Sequence, residues 1–182
     1  MDQNWDTDKL NRSDLPSKVV SIHLVAYPNS NNEGDEKLLL PPTNHWCLFL
    51  ELIDSSSGDS SSVRFDMAPG YGSDGLRGKI EVSSKEYNCT SNRIHRITFQ
   101  VIAPVSVAMI VELVQKNGRQ KYQFSPEWEG CRFWNYTFLQ DLEKAGIILE
   151  GSSEKAEEAL SSYFRTPSGV EKREMRIGEF RA

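Results

Sequence analysis

The stretch 45–53, with the sequence HWCLFLELI, is the most strongly β-prone run in the chain, and the predicted fold is built outward from it. An apolar run that contains no glycine or proline is typical of a buried strand. A serine-rich stretch at 55–62 (SSSGDSSS) predicts a flexible turn, and VRFDM at 63–67 predicts a returning strand. Residues 45–67 are therefore expected to form a hairpin, with Phe65 on one face and Asp66 on the other.

Further strands and helices surround this predicted hairpin. Strands are predicted at 19–27, 79–82, 94–102 and 120–124. Helices are predicted at 105–116, 131–145 and 154–164. In the second helix, apolar residues spaced by three and four form one stripe that begins at Cys131 and includes Trp134. These elements predict an α+β fold in which an antiparallel sheet packs against two or three helices.

The length of 182 residues favours one domain. We expect a flexible N-terminal segment at 1–17 and a single α+β domain at 18–165. Residues 166–182 are expected to form a charged tail or an edge strand. The glycine-rich stretch at 68–78 (APGYGSDGLRG) lacks the Gly-Lys-Ser/Thr ending of a phosphate loop, so it favours a shaped loop beside a site.

Charge and composition exclude several classes of function. The chain carries 21 basic and 26 acidic residues, a net charge of −5, and no basic stripe, so we expect no nucleic-acid partner. No apolar run reaches the roughly 18 residues of a membrane-spanning helix. Three cysteines, an odd number, and an acidic start of the chain favour a reducing, cytoplasmic location.

No metal or other cofactor is expected. The three histidines, His23, His45 and His95, are scattered, and the chain has neither a CxxC nor an HExxH motif. His23 lies inside a predicted strand and is interpreted as a structural residue. Cys47 lies inside the apolar strand and is assigned to the core, whereas Cys89 lies in a polar loop.

Cys131, His45 and Asp66 form the one constellation that points to chemistry. A thiol in the first turn of a helix faces unpaired N–H groups and the helix dipole, which favour the thiolate. An imidazole within reach would serve as a general base, and a carboxylate would orient it. His45 begins the first hairpin strand, and Asp66 lies on the second.

Two other interpretations stay open. In one, Cys131 only packs, and Trp46, Tyr71, Trp128 and Trp134 shape a pocket that binds a small molecule or guides a cyclisation without a covalent step. In the other, the chain is a protein-interaction module with an exposed apolar patch.

Three short blocks carry a resemblance to known proteins: NHWCLFL at 44–50, VRFDMAP at 63–69 and EGCRFW at 129–134. In this order they resemble the circularly permuted papain-like fold, as in the lecithin retinol acyltransferase group. The resemblance implies that His45 is the base, Asp66 the orienting residue and Cys131 the nucleophile. That group has Asn before its cysteine and usually His as third residue, whereas this chain has Gly130 and Asp66.

The chain as a whole is also similar to an uncharacterised domain family of filamentous fungi, through HWCLFLEL, DMAPGYGSDGLRGKI and PEWEGCRFW. Together the constellation and the resemblance to the acyltransferase group predict a thiol hydrolase or acyltransferase, whereas the fungal domain family carries no settled activity. Its substrate is expected to be a small-molecule or peptide acyl compound.

Overall fold

The computed structural model of the protein describes residues 1–30, 41–53 and 60–182. Within these ranges a mainly antiparallel sheet packs against three α-helices, which confirms the predicted α+β class. The strands are β1 (Trp5–Lys9), β2 (Val19–Pro28), β3 (Asn44–Ile53), β4 (Ser60–Tyr71), β5 (Arg77–Lys85), β6 (His95–Gln100), β7 (Tyr122–Gln123), β8 (Ser162–Phe164), β9 (Val170–Lys172) and β10 (Glu179–Phe180). The helices are α1 (Val107–Lys116), α2 (Cys131–Lys144) and α3 (Ser152–Leu160), and a 3-10 turn covers Arg12–Asp14.

The predicted hairpin of β3 and β4 lies at the middle of the sheet, whose strand order is β10-β7-β5-β4-β3-β2-β6. Alternation along β3 turns Leu48 and Leu50 into the core under the helices, while Cys47 and Phe49 face a smaller cluster on the other side. The predicted serine-rich turn lies mainly outside the described residues, because 54–59 are not among them.

The β3–β4 ladder opens at one end, and this opening positions the site. The two strands pair from Ile53↔Ser60 to Leu48↔Phe65. Beyond Leu48, β3 continues to pair with β2 as far as Asn44↔Pro28, but its ladder with β4 has ended. Backbone groups of β3 in this part of the strand are therefore free to bond to another element, and α2 packs against both strands.

The helix α2 begins where it was predicted to begin, at Cys131. The preceding Gly130 has a φ of 155°, and a Cβ there would lie 2.8 Å from the Tyr122 hydroxyl oxygen. Only glycine fits this close approach. The predicted apolar stripe is confirmed, because Trp134 and Phe138 are fully buried against the sheet.

Both chain termini contribute strands to the sheet. Residues 1–17, predicted to be flexible, contain β1, which pairs in parallel with β5. The indole of Trp5 packs edge-on against Phe65 in the core and holds this strand in place. At the other end, β10 pairs with β7 at an edge of the sheet, so ordered structure continues beyond residue 165.

The third helix is shorter than predicted. It ends at Leu160, and residues 162–164, predicted to be helical, form β8 instead. The reason is a tertiary contact, because the Asn44 side chain bonds to both the N–H and the C=O of Phe164.

The described helices contain 10, 14 and 9 residues. In this part of the chain, no helix has both the length and the apolar composition needed to cross a membrane.

Candidate functional site

The structure brings Cys131, His45 and Asp66 together from three elements. His45 Nε2 lies 2.7 Å from Asp66 Oδ1, across the point where the β3–β4 ladder has opened. The Cys131 thiol, at the first residue of α2, makes a side-chain hydrogen bond with the same imidazole. The imidazole therefore lies between a carboxylate and a thiol.

The carboxylate of Asp66 is held at both oxygens. Oδ1 accepts from His45 and Oδ2 accepts from Arg64, two residues earlier on the same face of β4. The Asp66 side chain is only 5% exposed, whereas that of His45 is 24% exposed. The ionised carboxylate accepts a hydrogen bond from Nε2–H, and this tautomer leaves Nδ1 without a proton, as the ring nitrogen that can accept one from the thiol.

The pKa of Cys131 is lowered although the thiol is buried. Burial by itself raises this pKa, because it disfavours the thiolate. The hydrogen bond with His45 and the charge of that ring oppose burial, and the Trp46 N–H and the Arg132 guanidinium add to them. These interactions together outweigh burial and favour the thiolate.

The first turn of α2 presents unpaired N–H groups beside the sulfur. The first hydrogen bond within the helix runs from Trp134 N to Gly130 O, at 2.9 Å. The N–H groups of Cys131, Arg132 and Phe133 therefore have no partner within the helix. An oxygen that becomes negative on a carbon bonded to the sulfur would meet donors at this end of the helix.

Asn135 is a part of the site that sequence reasoning missed. Its Nδ2 donates to the Trp46 carbonyl at 3.0 Å and to the Cys131 carbonyl at 2.7 Å, and the side chain is fully buried. Asn135 thereby fastens the first turn of α2 to the part of β3 whose ladder with β4 has ended. The signal in the sequence was an amide one turn after Cys131, on the buried side of the helix.

Of the four predicted pocket residues, the structure brings one to the thiol. Trp128 is 46% exposed and lines a narrow cleft together with His45 and Cys131. Its ring packs against Gly75, where a Cβ would lie 2.8 Å from the indole. The glycine-rich turn between β4 and β5 therefore borders the site through Trp128.

The other three residues lie elsewhere, so the four do not form one pocket. Trp46 is fully buried and packs edge-on against Phe164. Trp134 is also buried, and its indole N–H donates to the Arg119 carbonyl. Tyr71 lies beneath the Lys79 ammonium, 4.2 Å from ring centroid to nitrogen. The cleft beside Cys131 has a volume of about 20 Å³, which holds about one water molecule.

The other two thiols have the opposite electrostatics. Burial raises the pKa of Cys47 to about 11, and it also raises the pKa of Cys89.

Among the described residues, no group of three His, Cys, Asp or Glu side chains could hold a metal ion.

Comparison with known proteins gives one match. No curated protein and no solved structure matches the chain. A family model described as Domain of unknown function (DUF7770) matches residues 22–181, a range that includes His45, Asp66 and Cys131. The chain therefore belongs to this family, the domain of unknown function DUF7770.

Proposed function

We propose that the protein is a thiol hydrolase or acyltransferase in which Cys131 is the nucleophile, His45 the general base and Asp66 the orienting residue. The single observation that carries the proposal is a thiol whose pKa is lowered by an imidazole despite burial. A packing cysteine has its pKa raised, as Cys47 does. Thiols whose pKa is lowered by a neighbouring group are typical of catalytic sites.

The proposed reaction begins with proton transfer from Cys131 to Nδ1 of His45. The thiolate attacks the acyl carbonyl carbon, a carbon–sulfur bond forms, and the carbonyl electron pair moves onto oxygen. N–H groups at the start of α2 stabilise this oxyanion. The intermediate collapses, the bond to the leaving group breaks, and the leaving group takes the proton from His45.

The acyl group is then attached to Cys131 as a thioester. Water or another nucleophile gives a proton to His45 and attacks this thioester, and the thiol is released. Attack by water makes the protein a hydrolase, and attack by another nucleophile makes it an acyltransferase. The substrate class is a small-molecule or peptide acyl compound, and no cofactor takes part in the scheme.

A circularly permuted papain-like arrangement is part of the proposal. Its support is the chain order of a strand with His45, a strand with Asp66 and a helix that starts at Cys131. We also propose a cytoplasmic setting, because three free cysteines suit a reducing compartment.

The test is acyl-enzyme formation with p-nitrophenyl acetate. We expect a burst of p-nitrophenol equal to the protein concentration, with the acetyl group on the peptide that contains Cys131 in mass spectrometry. A Cys131→Ala variant is the matched control and should give no burst. Acetylation of folded protein at other residues only, or no acetylation, would leave Cys131 as a packing residue and overturn the proposal.

A further inference from the structure

The strand β6 is an edge of the sheet with no partner on its outer side among the described residues. Its inner side pairs with β2, from Ser21↔Gln100 to Ala26↔His95. Beyond its end, Val101 forms a bridge with Ile148, so the outer side is closed there. The open part of the edge therefore lies before Val101, at Arg96 to Thr98.

The hydrogen-bond register shows which backbone groups face outward. Val101 N donates to Val20 O in the same register as the β2–β6 ladder. Bonded and non-bonded pairs alternate in an antiparallel ladder. The N–H and C=O groups of Arg96 and Thr98 therefore point away from β2. This edge offers donors and acceptors at the spacing of an extended chain.

A groove with a volume of about 470 Å³ runs along this edge. It lies between β6, the helix α3 and the hairpin of β8 and β9. Its lining includes His95 and Ile97 from the strand, Lys155 and Ala159 from the helix, and Phe164 and Val170 from the hairpin. Val170 is 62% exposed, and Phe164 stacks on the His95 ring at 4.0 Å, so the wall opposite the edge is largely apolar.

The edge is held rigid from its other face. Thr98 Oγ1 lies 2.9 Å from His23 Nδ1, and His23 Nε2 lies 3.1 Å from Glu51 Oε2. These bonds tie β6 through β2 to β3. A chain that pairs with β6 therefore meets a strand that is already ordered, which reduces the entropy cost of binding.

We infer that this groove binds the extended peptide part of a peptide acyl substrate, as an additional antiparallel strand on β6. The unpaired backbone groups select an extended polypeptide, and the apolar wall selects alternate apolar side chains. Lys155 and Glu158, both on α3, place one positive and one negative charge at the groove, whereas the Arg96 side chain lies beside Cys89 on the other face of the sheet, so polar residues of either charge fit between the apolar ones. The inference rests on the proposed function for its connection to the thiol.

The direction of the bound strand leads towards Cys131. A strand antiparallel to β6 runs from the Val101 end to the His95 end, and its carboxyl end leaves there. Ala26 is in register with both His95 on β6 and Trp46 on β3. Three strand spacings, about 14 Å, separate a strand bound outside β6 from Trp46 on β3, and Trp46 N–H contacts the Cys131 sulfur. A few more residues would bring the carboxyl-terminal acyl carbon to the thiol.

The first test measures binding without chemistry, in a ¹⁵N-labelled Cys131→Ala variant. The probe is a pool of heptapeptides with Val, Ile, Leu or Phe at alternate positions and Glu, Asp or Thr between them. We expect the amide signals of Arg96 and Thr98 to shift and their hydrogen exchange to slow. Unchanged Arg96 and Thr98 amides at millimolar peptide would overturn the inference. So would a concentration-dependent dimer that pairs through β6 and excludes the peptide.

A matched pair of variants isolates the backbone contact. Arg96→Pro removes an outward N–H that β2 does not use, a change that edge strands tolerate. Arg96→Ala removes the same side chain but keeps the N–H. We expect the proline variant to bind the pool about tenfold more weakly than the alanine variant. Equal affinities, with both variants folded by thermal unfolding, would contradict strand addition.

The second test connects the groove to the thiol. A heptapeptide from the bound pool, as a carboxyl-terminal thioester, should acylate Cys131 at least tenfold faster than an acetyl thioester with the same leaving group. The thiolate of Cys131 replaces the leaving thiolate, which takes the proton from His45. If both thioesters react equally, the groove inference fails and the proposed function stands. If neither reacts while the pool still binds β6, the thiol proposal fails and the groove loses its assigned role.

Discussion

Two imidazoles in this protein have the same kind of neighbours but different surroundings. His45 lies between the Asp66 carboxylate and the Cys131 thiol. His23 lies between the Glu51 carboxylate and a hydroxyl, that of Thr98. The His23 side chain is 4% exposed and lies inside two continuous ladders, whereas that of His45 is 24% exposed where one ladder has ended.

The difference shows that a trio of residue types does not by itself make a site. Around His23 each ring nitrogen is satisfied, and burial lowers its pKa although the charge of Glu51 opposes this. His23, Glu51 and Thr98 therefore link three neighbouring strands. Around His45 the opened ladder lets a helix begin at the ring, and the helix brings a thiol and free N–H groups. The backbone opening, rather than the imidazole, distinguishes the two.

The largest expected effect comes from removing each imidazole in turn. With His45→Ala, the rate of Cys131 alkylation by iodoacetamide at pH 7 should fall about 10²–10⁴-fold, because the proposed base is lost. The midpoint of the pH profile should rise above that of wild type. With His23→Ala, the alkylation rate should stay within about twofold. The free energy of unfolding should fall by about 2–3 kcal/mol, because Glu51 and Thr98 lose their partner.

Mass spectrometry of the alkylated peptides measures the first effect, and urea unfolding measures the second. If His23→Ala slows alkylation as much as His45→Ala does, the distinction between the two imidazoles is wrong.

The next largest expected effect is on the pH dependence of stability, and it compares the thiols of Cys47 and Cys131 on either side of β3. Cys47 has a folded pKa of about 11, against about 8.5 in an unfolded chain. The unfolded chain therefore loses its proton first as pH rises, and the free energy of unfolding falls by up to about 3 kcal/mol between pH 8.5 and 11. Below pH 8.5 this contribution is fully present.

Urea unfolding of wild type and Cys47→Ala across that range, under reducing conditions, measures this slope. The variant should show a shallower decline. Cys131→Ala should run nearly parallel to wild type above about pH 8.5 and differ from it below that pH, because the lowered Cys131 pKa gives wild type a stability that is fully present above the unfolded value and is lost as pH falls. Parallel curves for all three proteins would contradict the assigned electrostatics.

Removing the charge of each carboxylate should give a smaller effect. Asp66→Asn keeps the shape of the side chain but no longer stabilises a protonated His45, so the Cys131 pKa should rise. The alkylation rate at pH 7 should fall about tenfold to a hundredfold, in line with the value of a hydrogen bond to a charged group. Glu51→Gln is the matched control on His23. If Glu51→Gln slows alkylation equally, the effect of Asp66→Asn comes from the loss of any negative charge and not from the orientation of His45.

How far the sequence predicts this molecule depends on how local each signal is. The hairpin and α2 were predictable because strand alternation and helical spacing are patterns that lie within a few residues. His45, Asp66 and Cys131 were found because each stands at the end of such an element or on a defined face of it. Bringing them together needs the end of the β3–β4 ladder, which no local pattern encodes.

Other features depend on distant contacts and were not predictable. The strand β1 reads as polar, and Trp5 packs on Phe65, 60 residues away in the chain. Trp46 and Trp134 were assigned to a pocket because exposed and buried aromatic residues look alike in a sequence. The structure buries both, since each packs between the sheet and its helices.

The smallest effect should come from the residue that joins the two halves of the site, Asn135. Asn135→Ala removes the bonds to the carbonyls of Trp46 and Cys131, so the first turn of α2 can move from β3. We expect alkylation of Cys131 at pH 7 to slow about tenfold and the free energy of unfolding to fall by about 1–2 kcal/mol. Thr137→Ala, on the same helix, removes a bond to the Phe133 carbonyl and should change stability alone. The His45–Asp66 pair stays intact in both variants. If alkylation slows only in Asn135→Ala, the contact between the thiol and the imidazole depends on the link between α2 and the opened part of β3, and not on the Asp66 carboxylate.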